Sequence, residues 1–195
     1  SIGKMEVGIS DLEVDMLTVV SHKFYGPKGI GALYVKNGIE LMPIMFGAGH
    51  ERGIRPGTEN VIGIVGIGKA CETAGRNMSF RYDHTFKLRD KFFSLLKNEL
   101  DVKLNGHETL RLPNTLNVSI KGVTGNDLVE KLKDSVAFSA GSACHSGTCK
   151  PSSVLKAMGL SDEDALSSIR LSVGKDNTEK EIEIAAEMII NAVKR

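Results

Sequence analysis

The sequence predicts a mixed α/β first part followed by a small α+β part, and three observations carry that expectation. Residues 1–57 alternate short apolar runs with glycine-rich turns. A long helical stretch then occupies the middle of the chain. Beyond it, short strand-like and helix-like segments alternate to the end.

Taken in order, Met16-Leu17-Thr18-Val19-Val20 is apolar and β-branched, which predicts a short buried strand. Gly26, Pro27 and Gly29 impose a turn, and Ile30 to Val35 predicts a second strand. A helix is expected from Thr58, read as its N-cap, with Glu59 in the first turn and Val61, Ile62, Val65, Ile67 and Ala70 as its apolar positions. A second helical stretch is expected from about Phe80 to Leu100. Strands are then expected at Thr115–Ile120, Val136–Ser139 and Ile169–Val173, and helices at Asn126–Lys133, Ser152–Met158 and Thr178–Lys194. Thr178 with Glu181 three residues on forms a capping box. A domain boundary is expected near residue 80, giving parts of 1–79 and 80–195. The sequence has no internal repeat and no low-complexity tract.

Composition narrows the function classes. Lys+Arg 25 against Asp+Glu 24 leaves a net charge of +1, so no electrostatic footprint for nucleic acid is visible. No apolar run approaches a membrane span, and no signal peptide opens the chain. The opening Ser1-Ile2-Gly3-Lys4 carries no initiator methionine, so the expectation is that the true N-terminus lies elsewhere and that targeting is unreadable. Cys71, Cys144 and Cys149 are odd in number and irregular in spacing, which points to a reducing, intracellular compartment, cytoplasm or mitochondrion.

Four stretches carry candidate chemistry. In Ser21-His22-Lys23-Phe24-Tyr25-Gly26-Pro27, a lysine stands where a strand ends and a turn begins. An amine in the crevice at a sheet end can form a Schiff base with a carbonyl substrate or with pyridoxal phosphate. A solvated turn lysine is the plainer reading. Residues 139–149 are small and turn-forming and hold Cys144, His145 and Cys149; a thiol there is exposed and able to travel. It can serve as a nucleophile, join a metal site that lacks a fourth ligand, close a regulatory disulfide across the loop, or be inert. In Ser168-Ile169-Arg170-Leu171-Ser172, period-two alternation separates Arg170 from the apolar face, fitting a carboxylate clamp or an edge-strand arginine in water. The stretch from Gly47 to Thr58 ends on a helix start, which suits a phosphate or an ordinary cap.

Together these stretches resemble the cysteine desulfurases and selenocysteine lyases, pyridoxal-phosphate enzymes of the class-V aminotransferase type. The resemblance rests on residues 21–35, Gly49-His50-Glu51-Arg52 with Arg55-Pro56-Gly57-Thr58, Pro113-Asn114-Thr115-Leu116-Asn117-Val118-Ser119, Gly141-Ser142-Ala143-Cys144 and Ser168-Ile169-Arg170-Leu171-Ser172, in that order across the whole chain. It implies part of the large pyridoxal-phosphate-binding domain of fold-type I aminotransferases, followed by the small C-terminal domain. It implies that Lys23 holds the cofactor covalently, that His22 bonds its phosphate, and that Thr58 reaches a phosphate across a homodimer interface. It further implies that Cys144 takes sulfur or selenium from the substrate as a persulfide and that Arg170 grips the substrate carboxylate.

One departure is local: the family's Ser-Gly-His-Lys reads Val20-Ser21-His22-Lys23, so a phosphate hydroxyl is missing unless Ser21 replaces it. Selenocysteine lyases are similar in having valine there. The other is that the family's ring-nitrogen aspartate would precede Ser1, so the isolated chain is expected to be inactive. The resemblance implies L-cysteine as substrate, alanine and a persulfide as products, and a sulfur-acceptor or scaffold protein as partner. Its alternatives are L-selenocysteine as substrate and a non-catalytic fragment that binds a sulfur-handling partner. No nucleic-acid or membrane partner is expected.

Overall fold

The computed structural model describes residues 1–145 and 148–195, and for residues 142–145, 148 and 149 it describes the backbone alone. The chain separates into two compact units, Ser1–Ser79 and Phe80–Arg195.

The first unit opens with a one-turn helix α1 (Ile9–Leu12), followed by strands β1 (Met16–Val20) and β2 (Gly31–Val35) and the long helix α2 (Val61–Arg76). β1 and β2 lie antiparallel, with Met16 opposite Val35 and Val20 opposite Gly31. The short link between them is too brief for the crossover that a parallel pair requires. Close approach explains Gly31, where a Cβ would stand 2.7 Å from the Val19 carbonyl oxygen. The helix begins two residues later than expected. Asn60, rather than Thr58, is its N-cap, with Oδ1 accepting the Gly63 N–H at 3.0 Å. Gly57 at φ +103° and the Arg55 side chain, which donates to the Gly57 and Thr58 carbonyls at 3.0 and 3.3 Å, hold the preceding residues out of the helix.

The second unit follows most of α3 (Met78–Glu99) with β3 (Val102–Leu104), β4 (Thr115–Ile120), α4 (Gly125–Leu132) and β5 (Ser139–Ala140). A ribbon of β6 (Ser142–His145) and β7 (Thr148–Pro151), the short helices α5 (Ser153–Ala157) and α6 (Asp162–Leu166), β8 (Ser168–Ser172) and α7 (Glu179–Lys194) complete it. The sheet order is β3-β4-β8-β5, antiparallel throughout. One sheet face packs Leu116, Val118, Ile120, Ile169 and Leu171 against Leu88, Phe92 and Leu96 of α3, Leu128 of α4, and Ile182, Ala186 and Ile189 of α7. Burying such side chains stabilises by about 1.5–3 kcal/mol each, so this cluster dominates the unit's stability. The capping box at the start of α7 is present: Thr178 Oγ1 accepts from Glu181 N–H and Glu181 Oε2 accepts from Thr178 N–H.

Two expectations are corrected here. The strand expected at Val136–Ser139 reduces to Ser139–Ala140, because α4 continues into a turn in which the Ser135 and Val136 N–H groups bond the Leu132 carbonyl. The stretch 139–149, expected as a loop, carries strand backbone on both sides of Ser146-Gly147, which lie outside the described residues.

A buried charge group ties α3 to the entry of β4. Arg89 is 4% exposed; it donates to Asp90 Oδ1 from Nε and Nη2 and to the Leu112 carbonyl from Nη1. Arg111 approaches the same carboxylate at 3.7 Å, and burial holds its pKa below the usual arginine value.

The tightest packing surrounds Ser168. A Cβ on Gly141 would lie 1.6 Å from Ser168 Oγ, and a Cβ on Gly125 would lie 2.3 Å from its carbonyl oxygen. Gly141→Ala therefore overpacks the sheet edge. The expected loss in urea unfolding is about 1–3 kcal/mol, with α4 and β5 exchanging amide hydrogens faster.

Candidate active site

Lys23 stands on a single 3-10 turn, Ser21–Phe24, directly after β1. Residues three apart eclipse in such a turn, so Ser21 and Phe24 share one face and are buried, at 0% and 1% exposure. His22 and Lys23 take the outer face and are exposed. The turn ends on Tyr25 in the left-handed region, φ +71°, and Gly26 N–H closes it onto the Ser21 carbonyl at 3.1 Å.

The turn is seated on α2 by small residues at four-residue spacing. A Cβ on Gly66 would meet Pro27 Cγ at 2.5 Å, and one on Gly26 would meet Ala70 Cβ at 2.9 Å. A Cβ on Gly3 would meet Phe24 Cβ at 2.7 Å and Ala74 Cβ at 3.7 Å. Positions 66, 70 and 74 form one helix face, and only their small size lets the turn lie against it. Ser21 points into this contact and its Oγ has no hydrogen-bond partner. It therefore does not stand beside His22 and Lys23 as a substitute for the hydroxyl absent at Val20.

Among the described residues, Lys23 Nζ forms no hydrogen bond or ion pair, which leaves the amine available. Thr58 is exposed two residues before Asn60, after a run of left-handed residues at Glu51, Arg52 and Gly53. The helix start offers less to an anion than expected. Val61 N–H bonds the Glu59 carbonyl and Gly63 N–H bonds Asn60, so two of its first donors are occupied.

In the second unit, β8 is an interior strand, between β4 and β5, and its burial alternates as the sequence predicts. Arg170 is therefore not an edge residue. It projects from the uncovered sheet face between Asn117 of β4 and Ser139 of β5. Its Nη2 donates to Ser139 Oγ at 3.3 Å, and no carboxylate among the described residues pairs with it. An exposed fork bonded only to a neutral hydroxyl can accept a carboxylate. Asn117 and Ser139 were not singled out as site residues, since only strand pairing brings them to Arg170. Asn114, in the same motif, staples β4 to β8: its backbone carbonyl accepts from Val173 N–H, and its Nδ2 donates to the Val173 carbonyl at 3.2 Å. Cys144 lies in β6; its side chain is outside the described residues, so the nucleophile and metal readings have no structural test.

A cavity of about 970 Å3 lies in the second unit and contains none of these candidates. Its lysines are engaged within its own lining, Lys103 with Asp164, Lys121 with Asp101 and Lys131 with the Ala192 carbonyl.

The family model for aminotransferase class-V matches residues 1–184. The chain belongs to that family. A cysteine desulfurase IscS of Histophilus somni (strain 2336) is 46% identical over 197 residues, covering all of this chain and 48% of the relative. One from Acinetobacter baumannii (strain AYE) is 48% identical over 183 residues, covering 93% of this chain and 45% of its own length. Among solved structures, a NifS-like protein superposes with a TM-score of 0.89 at 36% identity, covering 100% of this chain and 50% of that one. A NifS-like protein from Rickettsia africae ESF-5 gives 0.88 at 29% identity, covering 100% and 51%. The chain thus spans about half the length of the relatives it matches. The mixed helix-and-sheet architecture is that of the class-V aminotransferases.

Seating of the Lys23 turn is testable without any ligand. Ala70→Leu places a larger side chain against Gly26 and is expected to cost about 1–3 kcal/mol in thermal unfolding. Hydrogen exchange should rise across residues 21–27 and stay unchanged in α7.

Proposed function

We propose that this chain forms part of a cysteine desulfurase that works with pyridoxal phosphate. The observation that carries the reading is the identity of 44–48% with cysteine desulfurases across 93–100% of the chain. The donor set suits the cofactor: an unengaged amine on a rigidly seated turn, an exposed imidazole beside it, and an exposed hydroxyl at Thr58. Lys23 would hold the cofactor, His22 its phosphate, and Thr58 the phosphate of a second copy in a homodimer. Bound there, pyridoxal phosphate supplies an electron sink for the substrate's α-carbon.

Each remaining role falls to this chain's own side chains. Arg170 binds the L-cysteine carboxylate through two parallel N–H···O bonds and fixes the orientation of the amino acid. Lys23 Nζ takes the α-proton and later returns a proton to the β-carbon, yielding L-alanine. The Cys144 thiolate attacks the substrate sulfur; the carbon–sulfur bond breaks and a persulfide remains on Cys144. Substrate thiol plus enzyme thiol give alanine plus persulfide, so the step needs no oxidant. The sulfur then passes to an acceptor protein. Valine at position 20 is shared with selenocysteine lyases, so L-selenocysteine is the alternative substrate, and comparing the two amino acids as substrates separates these preferences.

Two measurements test this reading. Borohydride treatment of the cofactor-loaded protein is expected to fix a pyridoxyl group on Lys23, and Lys23→Ala should lose it; an adduct mapped to Lys28 contradicts the assignment. Arg170→Lys removes the bidentate fork, worth about 1.5–3 kcal/mol, so KM for L-cysteine should rise roughly 10- to 100-fold. An unchanged KM would remove Arg170 from the substrate site.

A further inference from the structure

Cys149 has no part in the reaction just described, yet the backbone places it across from the residue that does. In the β6–β7 ribbon Ser142 pairs with Pro151, Ala143 with Lys150, Cys144 with Cys149 and His145 with Thr148. Directly opposed residues of an antiparallel ribbon have Cα atoms roughly 4.5–5.5 Å apart. A disulfide spans Cα separations of about 4.4–6.8 Å, so the register meets its first geometric requirement. The ribbon is also held at its root, where Gly141 N–H bonds the Ser168 carbonyl at 2.8 Å and Gly141 packs on Ser168 Oγ. The two strands therefore start from a fixed point in the sheet.

We propose that Cys149 resolves the Cys144 persulfide and releases its sulfur as hydrosulfide. The proposal rests on the desulfurase reading, which supplies the persulfide. The Cys149 thiolate attacks Cys144 Sγ, the inner sulfur of the persulfide. A new Sγ–Sγ bond forms, the bond to the terminal sulfur breaks, and that sulfur leaves with the electron pair as hydrosulfide. The terminal sulfur is reduced and the two cysteine sulfurs are oxidised to a disulfide, so the step balances without a further oxidant. A thiol reductant of low molecular weight returns both cysteines to the reduced state. When such thiol is abundant the enzyme turns over. When it is scarce, Cys144 is held in the disulfide and stops accepting sulfur.

The test uses the full protein loaded with pyridoxal phosphate, given one equivalent of L-cysteine per chain and no other thiol, then alkylated and mapped by mass spectrometry. The wild type is expected to release about one hydrosulfide per chain and to yield a Cys144–Cys149 disulfide peptide. Cys149→Ser is expected to keep one extra sulfur atom on Cys144 and to release no hydrosulfide until reductant is added. A wild-type persulfide that persists on Cys144 while Cys149 remains free to alkylate would overturn the proposal. So would sulfur found on Cys149, which would make it a relay. Oxidised glutathione, given to the protein without cysteine or cofactor, tests the pairing independently of the desulfurase reading and is expected to form the same disulfide. Failure with glutathione refutes the pairing. Success with glutathione, but no hydrosulfide from the wild type and no extra sulfur on Cys144 of Cys149→Ser after L-cysteine, refutes the desulfurase reading and the resolving step together.

Discussion

The Ser21–Pro27 turn can present Lys23 only because α2 offers it no side chain larger than a methyl group. Gly66, Ala70 and Ala74 form a shallow face at four-residue spacing, and Pro27, Gly26 and Phe24 lie along it. Phe24 is the anchor, buried beside Gly3, which also approaches Ala74, and burying a phenylalanine stabilises by about 1.5–3 kcal/mol. That contact holds a turn whose end is strained at Tyr25. The eclipsing of residues three apart then turns His22 and Lys23 outward. The placement of Lys23 therefore depends on the small residues of α2.

The second unit uses the same device at another place. Gly141 and Gly125 bring two backbone segments against Ser168, whose hydroxyl is spent on the Ala165 carbonyl at 2.8 Å. The result fixes where β5 meets β8 and where the β6–β7 ribbon departs. Arg170 stands two residues along the same strand, on the sheet face opposite the core. A strand interior to the sheet is a constrained position, which suits the substrate-orienting role proposed for Arg170. The sheet's apolar face pays for that exposure with its packing against α3, α4 and α7.

Much of this was legible in the sequence, and what was not has physical causes. The strands Met16–Val20 and Thr115–Ile120 were readable because β-branched and apolar residues dominate both, but the burial expected of the first is not found, since its residues are exposed or half-buried. Arg170 was readable because alternation set it apart from Ile169 and Leu171. The start of α2 was misplaced because Thr58 and Asn60 are both good caps, and only the Arg55 bonds and Gly57 dihedral choose between them. β3 escaped notice because three residues with a central lysine carry no pattern. The Arg89–Asp90–Leu112 group joins residues 23 apart and leaves no local signal. Cys149 was visible as a cysteine, but its opposition to Cys144 exists only in the ribbon register.

The central claim, that the Lys23 turn and Cys144 serve a desulfurase, is tested most directly by a sulfur balance over one turnover. Protein loaded with pyridoxal phosphate would receive L-cysteine labelled at sulfur, and both L-alanine and the label would be counted. The account predicts one labelled sulfur leaving the amino acid for each L-alanine formed, with Cys144→Ser giving neither product. Label and alanine produced in full by Cys144→Ser, or pyruvate and ammonia formed in place of alanine, would contradict it.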